Sequence, residues 1–168
     1  MSNFEHANFP RASFMRRFGA IIYDALIAAA VYMVAGALGF AIIAIMASSG
    51  VINPGEAELA SYISQHPNLH SSYQAWILLW VVGFYVWFWS RGGQTLGMRA
   101  WRLKVQHPNG QCISLPRAIT RVFASLLGLG NLFILLSKDK LALQDTICQT
   151  EVVVLSQEAN QLKNWQGV

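Results

Sequence analysis

At 168 residues the chain has the length of one domain, and 54% of it is apolar while only 12% is charged, against about 25% charged in an ordinary soluble domain. That balance excludes a typical soluble protein and points to one embedded in lipid. The net charge of +4 does not indicate nucleic acid. The basic residues stand at the ends of apolar runs (Arg11, Arg16 and Arg17; Arg91, Arg99, Arg102 and Lys104), where they meet anionic headgroups instead.

Residues Met1–Phe14 read as a short cytoplasmic leader, with Phe4, Phe9 and Phe14 suited to an interface. Nothing there resembles a cleaved signal peptide, because the apolar run that follows is too long and lacks a small-residue cleavage site. A first transmembrane helix is predicted at about residues 18–47. Its stretch Ala25–Ala47 carries no charge and makes a helix of about 34 Å, enough to cross the hydrocarbon core. Small residues at Ala28, Ala35, Gly36, Gly39 and Ala44 either let a second helix approach closely or are simply common in such helices.

Ser48–Ser72 reads as a loop, with a turn at Asn53-Pro54-Gly55 and no Lys or Arg. His66 and His70 have a spacing that a helical zinc pair could use, but Pro67 interrupts it and no third ligand is evident, so no metal is expected. A second transmembrane helix is predicted at about residues 73–90, rich in the Trp and Tyr that favour membrane interfaces. Basic residues flank this pair of spans on the outside and are missing between them. The positive-inside rule then places the N-terminus in the cytoplasm.

A third apolar element, about residues 117–136, contains the short run Val122–Leu136, broken by Gly128-Leu129-Gly130-Asn131. Trp101–Gln106 before it alternates like a strand, and Glu151–Leu155 after it is also strand-like. If these two pair, they lie on one side of the membrane and the run between them re-enters; a third full span is the alternative. The expected fold is thus an all-α membrane protein with a small cytoplasmic strand pair, its membrane domain covering residues 15–155. A flexible tail is expected over 156–168. Cys112 and Cys148 have no metal-type spacing and read as ordinary thiols.

Three clusters could carry chemistry. Arg17 and Asp24 lie seven apart on one helical face, about 10 Å along the axis. Helical side chains lean toward the N-terminus, so Arg17 is expected to snorkel toward headgroups, leaving Asp24 to find a partner from the last third of the chain. A carboxylate in hydrocarbon costs about 2.5–3.5 kcal/mol on insertion scales and by default reads as functional; a polar clasp fixing helix packing is the alternative. In Arg91–Val105, glycines permit tight turns, and Gln94 and Thr95 could cap a short helix. The third cluster is Leu143-Gln144-Asp145 with Thr150, approached from upstream by Arg117 and Arg121 at i, i+4. A network of Arg17, Asp24, Arg121 and Asp145 follows as an expectation.

Taken together, these clusters resemble the RDD family of small bacterial membrane proteins, named for one arginine and two aspartates. The resemblance rests on Arg17-Phe-Gly-Ala-Ile-Ile-Tyr-Asp24, on Gly93-Gln94-Thr95-Leu96-Gly97 followed by Arg102-Leu-Lys-Val105, and on Leu143-Gln144-Asp145 through Thr150-Glu-Val-Val153. Arg121 resembles the arginine often found upstream of the last block. Many members have histidine where Gln144 stands and lysine where Met98 stands, which argues against a histidine relay. The resemblance implies a multi-pass protein of the bacterial inner membrane. It is compatible with a transport component that couples protons or cations, working as a homo-oligomer, or with a non-catalytic scaffold or accessory protein. No nucleophile–base constellation is visible, so neither enzymatic activity nor a cofactor is expected.

Overall fold

The computed structural model describes residues 8–161, so part of the expected leader (1–7) and of the expected tail (162–168) lies outside the described residues. The helices are α1 (Phe14–Ser48), α2 (Leu59–Gln65), α3 (Pro67–Arg91), α4 (Leu96–Ala100), α5 (Leu115–Ala124) and α6 (Leu143–Cys148). A 3₁₀ segment occupies Leu126–Leu135, and the strands are β1 (Leu103–Gln106) and β2 (Glu151–Val154). Two compact units result. One is Ala28–Gly83; the other joins the chain up to Ile27 with the chain from Phe84 onward.

Among the described residues α1 is the one unbroken helix both long and apolar enough to cross a membrane. Its 35 residues contain no proline and, past Arg17, no charge except Asp24. Its large apolar side chains stay uncovered, with Leu26 70% and Met33 66% exposed. Water does not favour such a surface, and lipid does. α3 has the length of a second span at 25 residues, but its polar first turns and its Trp and Tyr content leave it less apolar than α1.

In the Ala28–Gly83 unit, Ala35, Gly39 and Ile43 form the buried face of α1. The small residues matter here. A Cβ at Gly39 would lie 3.0 Å from Trp76 Cδ1, and one at Gly36 would lie 3.3 Å from the Tyr73 hydroxyl. That closeness lets Trp76 Nε1 donate to the Ala35 carbonyl at 2.9 Å and the Tyr73 hydroxyl donate to the Gly36 carbonyl at 3.0 Å. Trp76→Phe is expected to cost about 0.6 kcal/mol, the typical value for one interhelical hydrogen bond in a membrane protein. Reversible unfolding in mixed micelles would read it.

The expectation of a plain loop at Ser48–Ser72 needs correction. Leu59, Tyr62 and Ile63 share a helical face, Ile63 is buried, and the segment closes into α2. Pro67 starts α3 instead of breaking a helix, since a proline at the first helical position forfeits no intrahelical bond. The Asn53-Pro54-Gly55 turn forms as expected, with the Gly55 N–H donating to Asn53 Oδ1 at 3.1 Å.

In the other unit β1 and β2 pair antiparallel, Leu103 opposite Val154 and Gln106 opposite Glu151. The residues just before α1 complete this small sheet: Ala12 N–H donates to the Val152 carbonyl and Val154 N–H to the Pro10 carbonyl, both at 2.8 Å. The third apolar run is not one helix. α5 and Gly128–Leu135 meet at a bend of 75°. Gly128 has φ +96°, which an α-helix cannot use, and the Ser125 carbonyl accepts from the N–H groups of both Gly128 and Gly130. In the sequence the bent run lies between β1 and β2, and both its halves pack against α6.

A buried arginine–aspartate cluster and a capped membrane carboxylate

Asp145 is the centre of the first cluster. It sits at the third position of α6, where Oδ2 accepts the Ala142 N–H at 3.0 Å, capping the helix start. The same oxygen accepts from Arg17 Nη1 at 2.6 Å, while Oδ1 accepts from Arg121 Nη2 at 2.6 Å. Arg17 also donates to the Lys140 carbonyl at 3.1 Å, and Arg121 donates to the Thr150 hydroxyl. The Arg121 guanidinium lies over the Trp89 ring, 5.5 Å from its centroid. All three charged side chains are at most 3% exposed. Burial alone would push the Asp145 carboxyl up, but Arg121 and then Arg17 outweigh it and hold the group below the usual carboxylate range.

One expectation fails here. Arg17 does not snorkel; α6 and the residues before it cover the start of α1 and supply both a carboxylate and a carbonyl, which a buried guanidinium needs more than it needs water. Asp145 itself is buried, at 1% exposure. Arg117, four residues before Arg121, goes elsewhere: its Nη1 contacts the His107 ring at 2.8 Å.

Asp24 stands in a second, separate arrangement. Its Oδ2 accepts the Thr95 hydroxyl at 2.5 Å and its Oδ1 accepts the Gly97 N–H at 2.9 Å. Among the described residues no cation pairs with it. The expectation that its partner comes from the last third of the chain is therefore corrected: the loop after α3 supplies it. Side chains on α1 lean back toward Ala20, and α4 begins directly against Ala20 and Asp24. The four-residue network expected from sequence divides into Arg17–Asp145–Arg121 and Asp24–Thr95–Gly97.

Four residues of the Gly93–Gly97 motif, Gly93, Gln94, Thr95 and Gly97, each make a contact that their residue type permits. Gly93 has φ +68° and no room for a side chain against the Val105 carbonyl oxygen, and its own carbonyl accepts the Val105 N–H at 2.7 Å. Gln94 donates to the Leu103 carbonyl at 2.8 Å and to Asn160 Oδ1 at 2.9 Å. Thr95 caps α4 by accepting the Met98 N–H while donating to Asp24. Gly97 brings its N–H to Asp24 across a contact that leaves no space for a Cβ. Sequence reasoning took Thr95 as a cap and missed it as the partner of Asp24. Trp89, the Lys140 carbonyl and Asn160 were missed too, and no spacing signal marks them.

A long apolar helix, an acid held within it by hydroxyl and amide donors, and a buried Arg–Asp–Arg cluster define a small helical membrane protein with a two-stranded sheet. The family model of the RDD family matches residues 11–149, most of the chain, and the protein belongs to that family. Neither the curated proteins nor the solved structures contain a match.

Proposed function

We propose that this RDD-family protein is a transport component in which Asp24 loads and releases a proton or competes it against a cation. The observation that supports this is the setting of Asp24. A carboxylate within a membrane helix accepts a hydroxyl and an amide N–H but pairs with no cation among the described residues, so its charge is not locked by a permanent counterion.

On this reading α1 and α3 are the spans, the bent 115–135 run re-enters, and a homo-oligomer completes the path. The pairing of β1 with β2 at both ends of that run supports re-entry. The absence of Lys and Arg between the spans supports a cytoplasmic N-terminus in the inner membrane, with Arg91, Arg99 and Arg102 meeting anionic headgroups. The role is non-enzymatic and needs no cofactor.

Proteoliposomes with an internal pH dye test it. Wild type should dissipate a proton gradient when Na⁺ or K⁺ is supplied, and Asp24→Asn, reconstituted at equal protein content, should abolish that flux. A wild type silent with every cation sinks the transport reading. The second reading, a scaffold or accessory protein, is favoured by the Arg17–Asp145–Arg121 cluster, whose ion pairs tie α1, α5 and α6 together. Under it, Asp24→Asn would change abundance or partner recovery and nothing else.

A further inference from the structure

The Arg17–Asp145–Arg121 cluster carries two imbalances that the fold does not correct. The first is charge. Two guanidinium groups share one carboxylate, and the neighbouring Arg11 is already neutralised by Glu151 at 3.0 Å. A net positive charge is therefore left where side chains are at most 3% exposed, and uncompensated buried charge is strongly disfavoured. The second imbalance is in hydrogen bonding. Arg17 Nε, Arg121 Nε and Trp89 Nε1 are buried and have no hydrogen-bond acceptor among the described residues. Buried donors are nearly always satisfied, and exceptions commonly mark the place of a water or an ion.

Both imbalances are met by the same object. An anion supplies the missing charge and accepts N–H donors, while water supplies only the second. The donors also select among anions. Guanidinium groups present forked N–H edges that match the spaced oxygens of phosphate or carboxylate better than a single sphere such as chloride. The indole N–H is a donor only, and its ring already faces the Arg121 guanidinium.

We propose that the Arg17–Asp145–Arg121 cluster, with Trp89, binds one phosphate-class oxyanion, either free or as the phosphate of a lipid headgroup. Asp145 fixes the two arginines so that their Nε–H groups remain available, and the anion completes the charge balance. The Asp24 arrangement shares no hydrogen bond with this cluster, so failure of proton flux in liposomes leaves the binding result standing, and the reverse holds too.

The test uses the full chain in uncharged detergent. Inorganic phosphate is titrated against sodium chloride at equal ionic strength, read by melting temperature and calorimetry. The expected result is a saturable rise with phosphate alone, at about one phosphate per chain. Trp89→Phe, which keeps an aromatic ring and loses one N–H, should weaken binding about tenfold with little change in the phosphate-free melting temperature. Should that variant fold poorly, Arg121→Lys keeps the charge, lacks Nε, and should weaken binding as well. A second arm compares nanodiscs of phosphatidylglycerol with phosphatidylcholine. Stabilisation by phosphatidylglycerol alone, lost in the variant, identifies the lipid phosphate as the source. If neither phosphate nor phosphatidylglycerol stabilises beyond its control, or if the variants bind like wild type, the cluster is not an anion site.

Discussion

Asparagine in place of Asp145 is expected to cost about 3–5 kcal/mol of stability, the usual result of removing one member of a buried ion-pair group. The amide can still accept from one arginine, but it brings no charge, and two guanidinium groups would then face each other in the interior. Denaturation in mixed micelles measures this, with Asp139→Asn as the exposed control. The pH dependence has a definite sign. The folded-state pKa of Asp145 lies below its unfolded value of about 3.9, so its contribution is complete above that value and is lost as pH falls through the lower folded value. Between pH of about 5 and 8 the gap between wild type and Asp145→Asn should stay constant, and it should close only under strong acid. A gap that shrinks near neutrality would mean that the arginines do not hold the carboxylate ionised.

How much of this was readable beforehand follows from which forces are local. The 23 uncharged residues of Ala25–Ala47 specify a helix wherever they are, and the alternation of Leu103–Gln106 and the β-branched run in Glu151–Val154 specify strands. Both appear as expected, and the strands pair. The Pro67 boundary and the bend at Gly128 depend on single residues, one with a fixed φ and the other free to take a positive φ, so they were visible as interruptions though not as geometry. Partners were harder. Asp24 and Asp145 look alike in sequence, each a lone acid beside an apolar run, yet one meets a hydroxyl and an amide while the other meets two arginines. That difference is set by which segment packs over each acid, a tertiary event between residues 71 and 128 positions apart. Side-chain lean on an isolated helix predicted a free Arg17 because it contains no covering layer.

The larger of the remaining effects is expected at Gly97. An alanine Cβ there would lie 2.5 Å from the Ala20 carbonyl oxygen and 2.8 Å from Asp24 Cγ. Neither neighbour can yield cheaply, one being helical backbone and the other the root of a hydrogen-bonded carboxylate. α4 must move off α1, which costs about 1–3 kcal/mol as overpacking. That movement also lengthens the Gly97 and Thr95 bonds to Asp24, and bonds to a charged group are each worth about 1.5–3 kcal/mol. A loss of about 3 kcal/mol or more follows, against almost none for Leu96→Ala next to it, whose side chain is 48% exposed. A double-mutant cycle separates the two components. In an Asp24→Ala background the contact with Cγ and both hydrogen bonds are already gone, so Gly97→Ala should cost less there by about 1–2 kcal/mol. Equal costs in both backgrounds would show that the glycine serves only the approach to Ala20, and that the motif does not exist to hold the acid.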